Sequence, residues 1–319
     1  MLAFATAEQA SMDAFVSVSA SSQFDEQLRE YTRSLLDQRC TKPAWCLMAL
    51  EEGVPVARAA FWSLPGQEVP TDLVLIDADW SDDELSAGRG LLARMHEMAG
   101  VLGADVLSHS VDSPPGAPQY QENEDARIRL LTESGYHLMR DGLRWQYSAP
   151  SSRGPAQDHS LDYRPLSQVG ENAFVDAIAS TYQGTRDSWL SQNIEEHGLQ
   201  GAARTDFHDL QAMDYRPEWW ELAYEEGDVL AGVIMAARNP STAVIAYVGV
   251  VPERRGRGLA PQLVRRGTEH LLESGADEIR GDCDLDNVAM VKAFERAGYE
   301  QFARRRTYQR SVADRESGS

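Results

Sequence analysis

The chain has 319 residues, of which 42% are hydrophobic and 25% are charged, and its formal net charge is -20. This length favours two domains, and no stretch approaches the roughly 18 consecutive apolar residues that a membrane span needs. The acidic balance argues against nucleic acid as a partner, because phosphate contacts need clustered Lys and Arg. It suits either simple solubility or the attraction of a cationic ligand.

The cysteines and the N-terminal segment indicate the compartment. Cys40, Cys46 and Cys283 cannot form a complete disulfide framework and lack a zinc-like spacing, so we expect small buried thiols. The segment MLAFATAEQASMD has no positively charged region followed by a long apolar one, so we expect no signal peptide. These features predict a cytoplasmic protein without a bound metal.

Apolar runs and turns predict one α/β unit in the first half of the chain. Residues 45–62 form two apolar runs around Gly53, which is typical of a β-hairpin, and residues 72–79 form a third strand. A turn and an amphipathic helix follow in SAGRGLLARMHEMAGVLGA, then a strand in VLSHSV. The next helix ends at Gly135, a residue type that favours helix ends, and HLMRDGLRWQY closes the unit as a strand.

The second half repeats this plan after a segment rich in Ser, Pro and Gly. Residues 219–236 predict a hairpin around Gly227, and residues 243–251 predict the third strand. A basic turn and a helix follow, then the strand EIRGDCDL, a helix that ends at Gly298 and the closing strand QFARRRTYQR. The sequence therefore predicts an α/β fold of two tandem domains, 1–147 and 161–310, with a linker at 148–160 and a disordered tail at 311–319.

The basic turn VPERRGRGLAPQL lies between the third strand and the helix of the second half. Gly256 and Gly258 let a ligand approach the backbone, and the helix start offers unpaired N–H groups that attract anions. Arg254, Arg255 and Arg257 add positive charge. The pattern is neither a Walker motif nor a dinucleotide-binding fingerprint. It predicts a phosphate or pyrophosphate cradle, although a solvated basic turn would have the same composition.

The second half resembles the GNAT acetyltransferase family over about residues 161–310. The family motif Q/R-x-x-G-x-G/A is filled by Arg255, Gly258 and Ala260 in RGRGLA, and DNVAMVKAFERAGY is similar to a later helix of the family. The first half resembles the same fold more faintly. Its turn SAGRGLLARM keeps only Gly90 of the motif, and Leu92 would crowd a pyrophosphate, so we expect a degenerate domain there. Tandem chains of this kind resemble the mycothiol synthase-like acetyltransferases of actinobacteria.

This resemblance implies a fold and a co-substrate. Each domain would have a mixed, mostly antiparallel central sheet flanked by helices, and acetyl-CoA would be the co-substrate. The backbone of the splayed strand would bind the thioester and pantetheine, and the turn would bind the pyrophosphate. The implied binding residues are Val248, Gly249, Val250, Val251, Arg255, Gly256, Arg257, Gly258, Leu259, Ala260, Asn287 and Phe294.

The chain departs from the family pattern at the positions of the catalytic groups. The fourth strand of the family often carries a carboxylate, whereas Tyr247 is the only polar side chain in AVIAYVGVV. The base would then come from another element, with the candidates Asp187, Glu221, Asp282 and Asp284. The family often protonates the leaving thiolate with a Tyr where this chain has Phe294, so Tyr247, Tyr308 or water would replace it.

We therefore expect an N-acetyltransferase that transfers acetyl from acetyl-CoA to a primary amine of a small cationic molecule in a ternary complex. Two alternatives remain open: a protein lysine acetyltransferase and a catalytically inert CoA-binding protein. Neither nucleic acid nor a membrane is an expected partner, and the chain would be a monomer or a homodimer.

Overall fold

The computed structural model describes residues 2–18, 24–82, 85–148, 161–185, 188–239 and 242–312. The chain divides into two compact units, of which unit 1 comprises Met1–Arg140 with Arg305–Ser319 and unit 2 comprises Asp141–Arg304. The predicted linker after Ser148, the candidate Asp187 and the tail from residue 313 lie outside the described residues.

The first repeat forms a sheet with helices, as predicted. Its strands are β1 (Ala3–Thr6), β2 (Cys46–Glu51), β3 (Val54–Trp62), β4 (Asp72–Ala78), β5 (Val106–Ser113) and β6 (His137–Ser148). Its helices are α1 (Met12–Ser17), α2 (Asp25–Asp37), α3 (Ser86–Val101) and α4 (Glu124–Glu133). The hairpin between β2 and β3 turns at Glu52 and Gly53, whose φ angles of 50° and 85° suit a two-residue turn with a left-handed backbone.

The second repeat has the same order of elements. Its strands are β7 (Asp162–Pro165), β8 (Trp220–Glu225), β9 (Val229–Arg238), β10 (Ala243–Val250), β11 (Glu278–Asp284) and β12 (Glu300–Ser311). Its helices are α5 (Leu166–Val169), α6 (Glu171–Tyr182), α7 (Ser188–Gln211), α8 (Leu259–Glu273) and α9 (Val288–Ala297), with α7 interrupted at Gly198. Gly298 ends α9 in the left-handed conformation, as the sequence predicted.

The compact units differ from the sequence repeats at the two closing strands. Residues 141–148 of β6 belong to unit 2, where Gly142–Ser148 pairs with β11. Residues 305–311 of β12 belong to unit 1, where Thr307 contacts Ser110 of β5. Strand pairing is decided by distant residues, so a repeat in the sequence does not show which strand a closing segment joins. The predicted domain boundaries describe the sequence repeats and not the compact units, and they stay a prediction.

Unit 2 is a mixed sheet in the order β6-β11-β10-β9-β8-β7, and helices pack on both faces. Neighbouring strands in this order pair antiparallel, except β10 and β11, which are parallel. On one face, here called the α6 face, Trp220 packs against Phe174 of α6 and Phe207 of α7. On the other, the α8 face, Ile234 and Ile245 lie against α8 at Gly267, where a Cβ would fall 2.9 Å from both.

Candidate active site

Strand β10 separates from β11 soon after it begins. The two strands pair at Ala243–Ile279 and Val244–Arg280, whereas β10 stays paired with β9 as far as Val250. Residues 247–250 are only partly buried as a result. A strand edge that leaves its neighbour in this way can pair with an extended ligand. This opening is the centre of the candidate site.

A β-bulge at Ala246 determines where Tyr247 lies. The register with β9 shifts between Ile245 and Tyr247, so these two residues do not share a face as an unbroken alternation would require. Ile245 points to α8, whereas the phenol oxygen of Tyr247 lies 2.5 Å from Oγ1 of Thr181 in α6. The bulge therefore places the only polar side chain of the strand on the α6 face, beside the opening.

Gly249 leaves the space that this phenol occupies. A Cβ at Gly249 would fall 2.7 Å from the phenol oxygen of Tyr247 and 2.7 Å from Oγ1 of Thr181. Any larger residue would displace both groups. Tyr247 therefore reaches over the strand two residues further along, at the point where β10 has left β11.

The basic turn has the geometry of an anion cradle. Gly256 and Gly258 both have a φ of 78°, and a Cβ at either position would meet no protein atom within 4 Å among the described residues. Gly258 precedes α8, and no described side chain caps this helix start. Pro261 has no N–H, so the unpaired donors of the first turn are the N–H groups of Gly258, Leu259 and Ala260. These donors and the helix dipole favour a bound anion.

The three arginines of the turn have different contacts. Arg255 donates to three backbone carbonyls: to Val250 at 3.1 Å, Gly184 at 3.3 Å and Thr181 at 2.8 Å. Arg254 and Arg257 both pair with Glu225 of β8, at 2.6 and 3.5 Å. Arg255 thus ties the turn to the end of α6, whereas the exposed Arg257 is the side chain best placed to add charge for a ligand.

Glu221 lies in an ion-pair cluster on the α8 face, away from Tyr247. It is 3% exposed, and Arg266 donates two hydrogen bonds to it, at 2.7 and 2.8 Å. His270 of α8 lies 3.0 Å from it. Burial alone would raise the pKa of Glu221, but the hydrogen bonds from Arg266 and His270 outweigh burial and lower the pKa. Such a carboxylate is a weak base, so the structure favours a role in stability.

We expect Glu221→Gln to lower the free energy of unfolding by about 2 kcal/mol, because it leaves the buried side of Arg266 without its counter-charge. The depressed pKa means that Glu221 stabilises the fold fully above the ordinary value of 4.5 and loses this effect as the pH falls through its folded value. As the pH falls below the ordinary value, the free energy of unfolding should therefore decrease less in the variant than in the parent protein.

Chemical denaturation across pH measures this effect. Glu269→Gln is the control, because Glu269 also pairs with Arg266, at 3.6 Å, but is more exposed; its cost should stay below about 1 kcal/mol. A loss of turnover in folded Glu221→Gln, with unchanged stability, would instead support the base that the sequence predicted.

Asp282 lies on the face that also carries Tyr247. In β11, Gly281 packs against Phe294 of α9, so the neighbouring Asp282 points to the opposite, α6 face. Asp282 is partly exposed and pairs at 3.5 Å with Arg144, its cross-strand partner in β6. Asp284 shares this face but is buried. Asp282 and Tyr247 thus lie on one face of the sheet, on the two strands that border the opening.

Asn287 and Phe294 have structural roles. The side chain of Asn287 caps α9 by accepting a hydrogen bond from the N–H of Met290 at 3.3 Å. Phe294 is 1% exposed and stacks on Trp145 with the ring centres 5.9 Å apart. A cofactor contact of either residue stays a prediction, and the burial of Phe294 leaves it out of our proposal.

The sheet of unit 1 has a comparable opening, but side chains of unit 1 already form hydrogen bonds with the backbone groups at this opening. β4 pairs with β5 at Asp72–Ser108 and carries a bulge near Leu75. The N–H of Leu75 donates to Oε1 of Gln119 at 2.9 Å, and Arg127 donates to the carbonyl of Ile76. At the start of α3, Oδ2 of Asp82 accepts from the N–H of Ser86 at 2.8 Å. A carboxylate thus lies where an anion would bind.

Other site types are not seen in the described parts of the chain. No group of three or more His, Cys, Asp or Glu residues among them could hold a metal ion. Within the same ranges, no helix has the length and apolar character to cross a membrane. Trp219 and Trp220 lie in the core of unit 2.

Part of the chain matches a known protein family, and two known relatives are similar to it. Residues 182–299 match a model described as the Acetyltransferase (GNAT) family. A mycothiol acetyltransferase of Paenarthrobacter aurescens is 28% identical over 224 residues, which cover 67% of this chain and 62% of the relative. That of Geodermatophilus obscurus is 27% identical over 232 residues, with coverage of 68% and 66%. The chain thus spans just under two thirds of the length of these relatives.

Two solved structures share the fold over nearly the whole chain. A GCN5-related N-acetyltransferase from Sphaerobacter thermophilus has a TM-score of 0.63 at 16% identity and covers 98% of this chain and 96% of its own. A tandem GNAT protein from the clavulanic acid biosynthesis pathway has a TM-score of 0.54 at 15% identity, with coverage of 98% and 99%. The chain therefore has a tandem GNAT fold, and residues 182–299, which lie in unit 2, match the acetyltransferase (GNAT) family.

Proposed function

We propose that unit 2 is an N-acetyltransferase that moves the acetyl group of acetyl-CoA directly to a primary amine of a small cationic molecule. The observation that carries this proposal is the splayed edge of β10 beside the uncapped start of α8. An extended thioester and a diphosphate need these two sites next to each other. The relatives named as mycothiol acetyltransferases support a small acceptor over a protein lysine.

Backbone groups supply most of the donor binding in this proposal. The edge of β10 from Val248 to Val251 pairs with the pantetheine and offers an N–H to the developing oxyanion of the thioester carbonyl. The N–H groups from Gly256 to Ala260 bind the pyrophosphate, with the charge of Arg257 nearby. Open space at both glycines of the turn fits a diphosphate there.

Tyr247 and Asp282 supply the side-chain chemistry in this proposal. Asp282 holds the cationic acceptor at the opening. The neutral amine nitrogen attacks the thioester carbon, the C–N bond forms and the C–S bond breaks. Tyr247 gives its phenol proton to the leaving sulfur and takes the surplus proton of the nitrogen, so its protonation is restored and the products are an amide and CoA thiol.

Unit 1 would bind no acyl-CoA under this proposal. Gln119 and Arg127 already bond to the backbone of β4, and Asp82 would repel a pyrophosphate at α3. This agrees with the degenerate domain expected from Leu92. The rival function is an inert CoA-binding protein, and the buried Phe294 at the place of the family's acid is the observation that favours it.

Two measurements test the proposal together. Calorimetric titration with acetyl-CoA should give one site per chain, and thiol release should depend on an added amine, with spermidine, glucosamine and a lysine peptide as probes. We expect faster release with a small amine than with the peptide. Two sites per chain would contradict the proposal that unit 1 binds no acyl-CoA. Binding of acetyl-CoA without thiol release for any amine would indicate the inert protein.

A further inference from the structure

The hydrogen bonds around Thr181 fix the direction of the Tyr247 proton. Oγ1 of Thr181 lies 2.7 Å from the carbonyl oxygen of Ile178 and 2.5 Å from the phenol oxygen of Tyr247. A carbonyl can only accept, and a hydroxyl has a single proton, so Thr181 donates to Ile178. It must then accept from Tyr247. The resting phenol proton therefore points to Thr181.

Arg255 holds Thr181 in this place. Its guanidinium donates to the carbonyl of Thr181 and to that of Gly184 beyond the end of α6, and also to Val250 at the end of β10. Thr181 is 5% exposed. The last turn of α6 is therefore fixed to β10 by the protein itself, before any ligand binds.

We propose that Thr181 is a positioning residue that acts on the reaction through Tyr247. This inference rests on the acetyl transfer proposed above. Tyr247 is partly exposed, and its ring meets Tyr182 edge-on at 6.0 Å, and the hydroxyl of Thr181 is a polar contact that holds the phenol over Gly249. Without this hydrogen bond, the phenol loses part of its hold over Gly249.

A hydroxyl can hold Tyr247 in both of its protonation states. Thr181 accepts from the neutral phenol, and after the proton has moved to sulfur it can rotate away from Ile178 and donate to the phenolate. The O–H bond of Tyr247 breaks, the S–H bond forms, and a proton from the nitrogen then restores the phenol. Valine has the shape of threonine but can neither accept a hydrogen bond from the phenol nor donate one to the phenolate. The hydroxyl of serine can do both.

The test compares Thr181→Val with Thr181→Ser and with a matched control. Loss of one such hydrogen bond should lower kcat about 10-fold, while the KM for acetyl-CoA stays within about two-fold. Thr181→Ser should keep most of kcat. Thr268→Val is the control, because Thr268 also donates to a carbonyl of its own helix and contacts a phenol, that of Tyr299, but inside the core; its kcat should not change.

A double-mutant cycle separates positioning from a general structural effect. In a Tyr247→Phe background, Thr181→Val should cause no further loss, and an equal loss in both backgrounds would overturn the inference. Full activity of Tyr247→Phe would instead overturn the proposed proton transfer.

A crystal structure of Thr181→Val with CoA needs no acceptor and tests the positioning alone. We expect the phenol to leave its place over Gly249 in this variant and to keep it in Thr181→Ser. An unchanged phenol in Thr181→Val would overturn the inference whatever the activity.

Discussion

Gly258→Asp is expected to weaken acetyl-CoA binding about 100-fold or more. Gly258 has a φ of 78°, a conformation that Asp and Asn tolerate better than other side chains. The new carboxylate would lie at the start of α8, as Asp82 does at the start of α3. Two unit charges 4 Å apart repel by about 4 kcal/mol at the effective dielectric constant of a protein surface, which exceeds the 2.7 kcal/mol of a 100-fold change.

Two controls separate charge from backbone strain at Gly258. Gly258→Asn has the same shape without the charge and should weaken binding far less. Gly227→Asp puts the same side chain on a backbone of similar φ, 82°, at the hairpin of β8 and β9, and should leave the affinity unchanged. Calorimetry at two salt concentrations measures all three variants, and the gap between Asp and Asn should narrow in high salt. Equal affinities for Gly258→Asp and the parent protein would place the pyrophosphate elsewhere.

Tyr247→Phe is expected to lower kcat about 100-fold while the affinity for acetyl-CoA changes less than two-fold. The phenol is the only proton-bearing side chain of β10, and general acid–base groups contribute about 10² to 10⁴ in rate. This variant keeps the aromatic ring and removes only the hydroxyl. Stopped assays of thiol release under saturating acetyl-CoA measure kcat, and calorimetry measures the affinity.

Tyr299→Phe is the matched control for this variant. Tyr299 is buried and also contacts a threonine, with its phenol oxygen 2.7 Å from Oγ1 of Thr268. Its loss should lower stability and leave kcat unchanged. If Tyr247→Phe keeps its kcat, water protonates the leaving thiolate, and the phenol serves only to pack the site.

The parts of the site that depend on local chemistry could be predicted from the sequence. Gly256 and Gly258 have the left-handed backbone that their turn requires, and the two hairpins and Gly298 follow from short-range turn and helix-end preferences. Asp282 and Asp284 alternate in the sequence of β11, a pattern that places both side chains on one face of a strand.

Contacts between distant elements could not be predicted in the same way. Nothing near Arg255 in the sequence indicates that it binds the end of α6, and a bulge at Ala246 reverses the face that strand alternation predicts for Tyr247. In the sequence alone, Glu221 has the same appearance as an unpaired carboxylate, although it pairs with Arg266 and His270 in the structure. The spacing of these two residues on α8, four apart and facing one strand, was the signal available for that pairing.

The exchange of the closing strands limits how this chain can be divided. A cut in the predicted linker would deprive unit 1 of residues 305–312, including the core residue Tyr308, because these follow the second repeat in the sequence. The same cut would remove Leu143, Trp145 and Tyr147 from the core of unit 2. Although the two repeats have the same order of elements, neither carries a complete core of its own. The smallest fragment of this chain that can complete both cores is therefore the pair of repeats together.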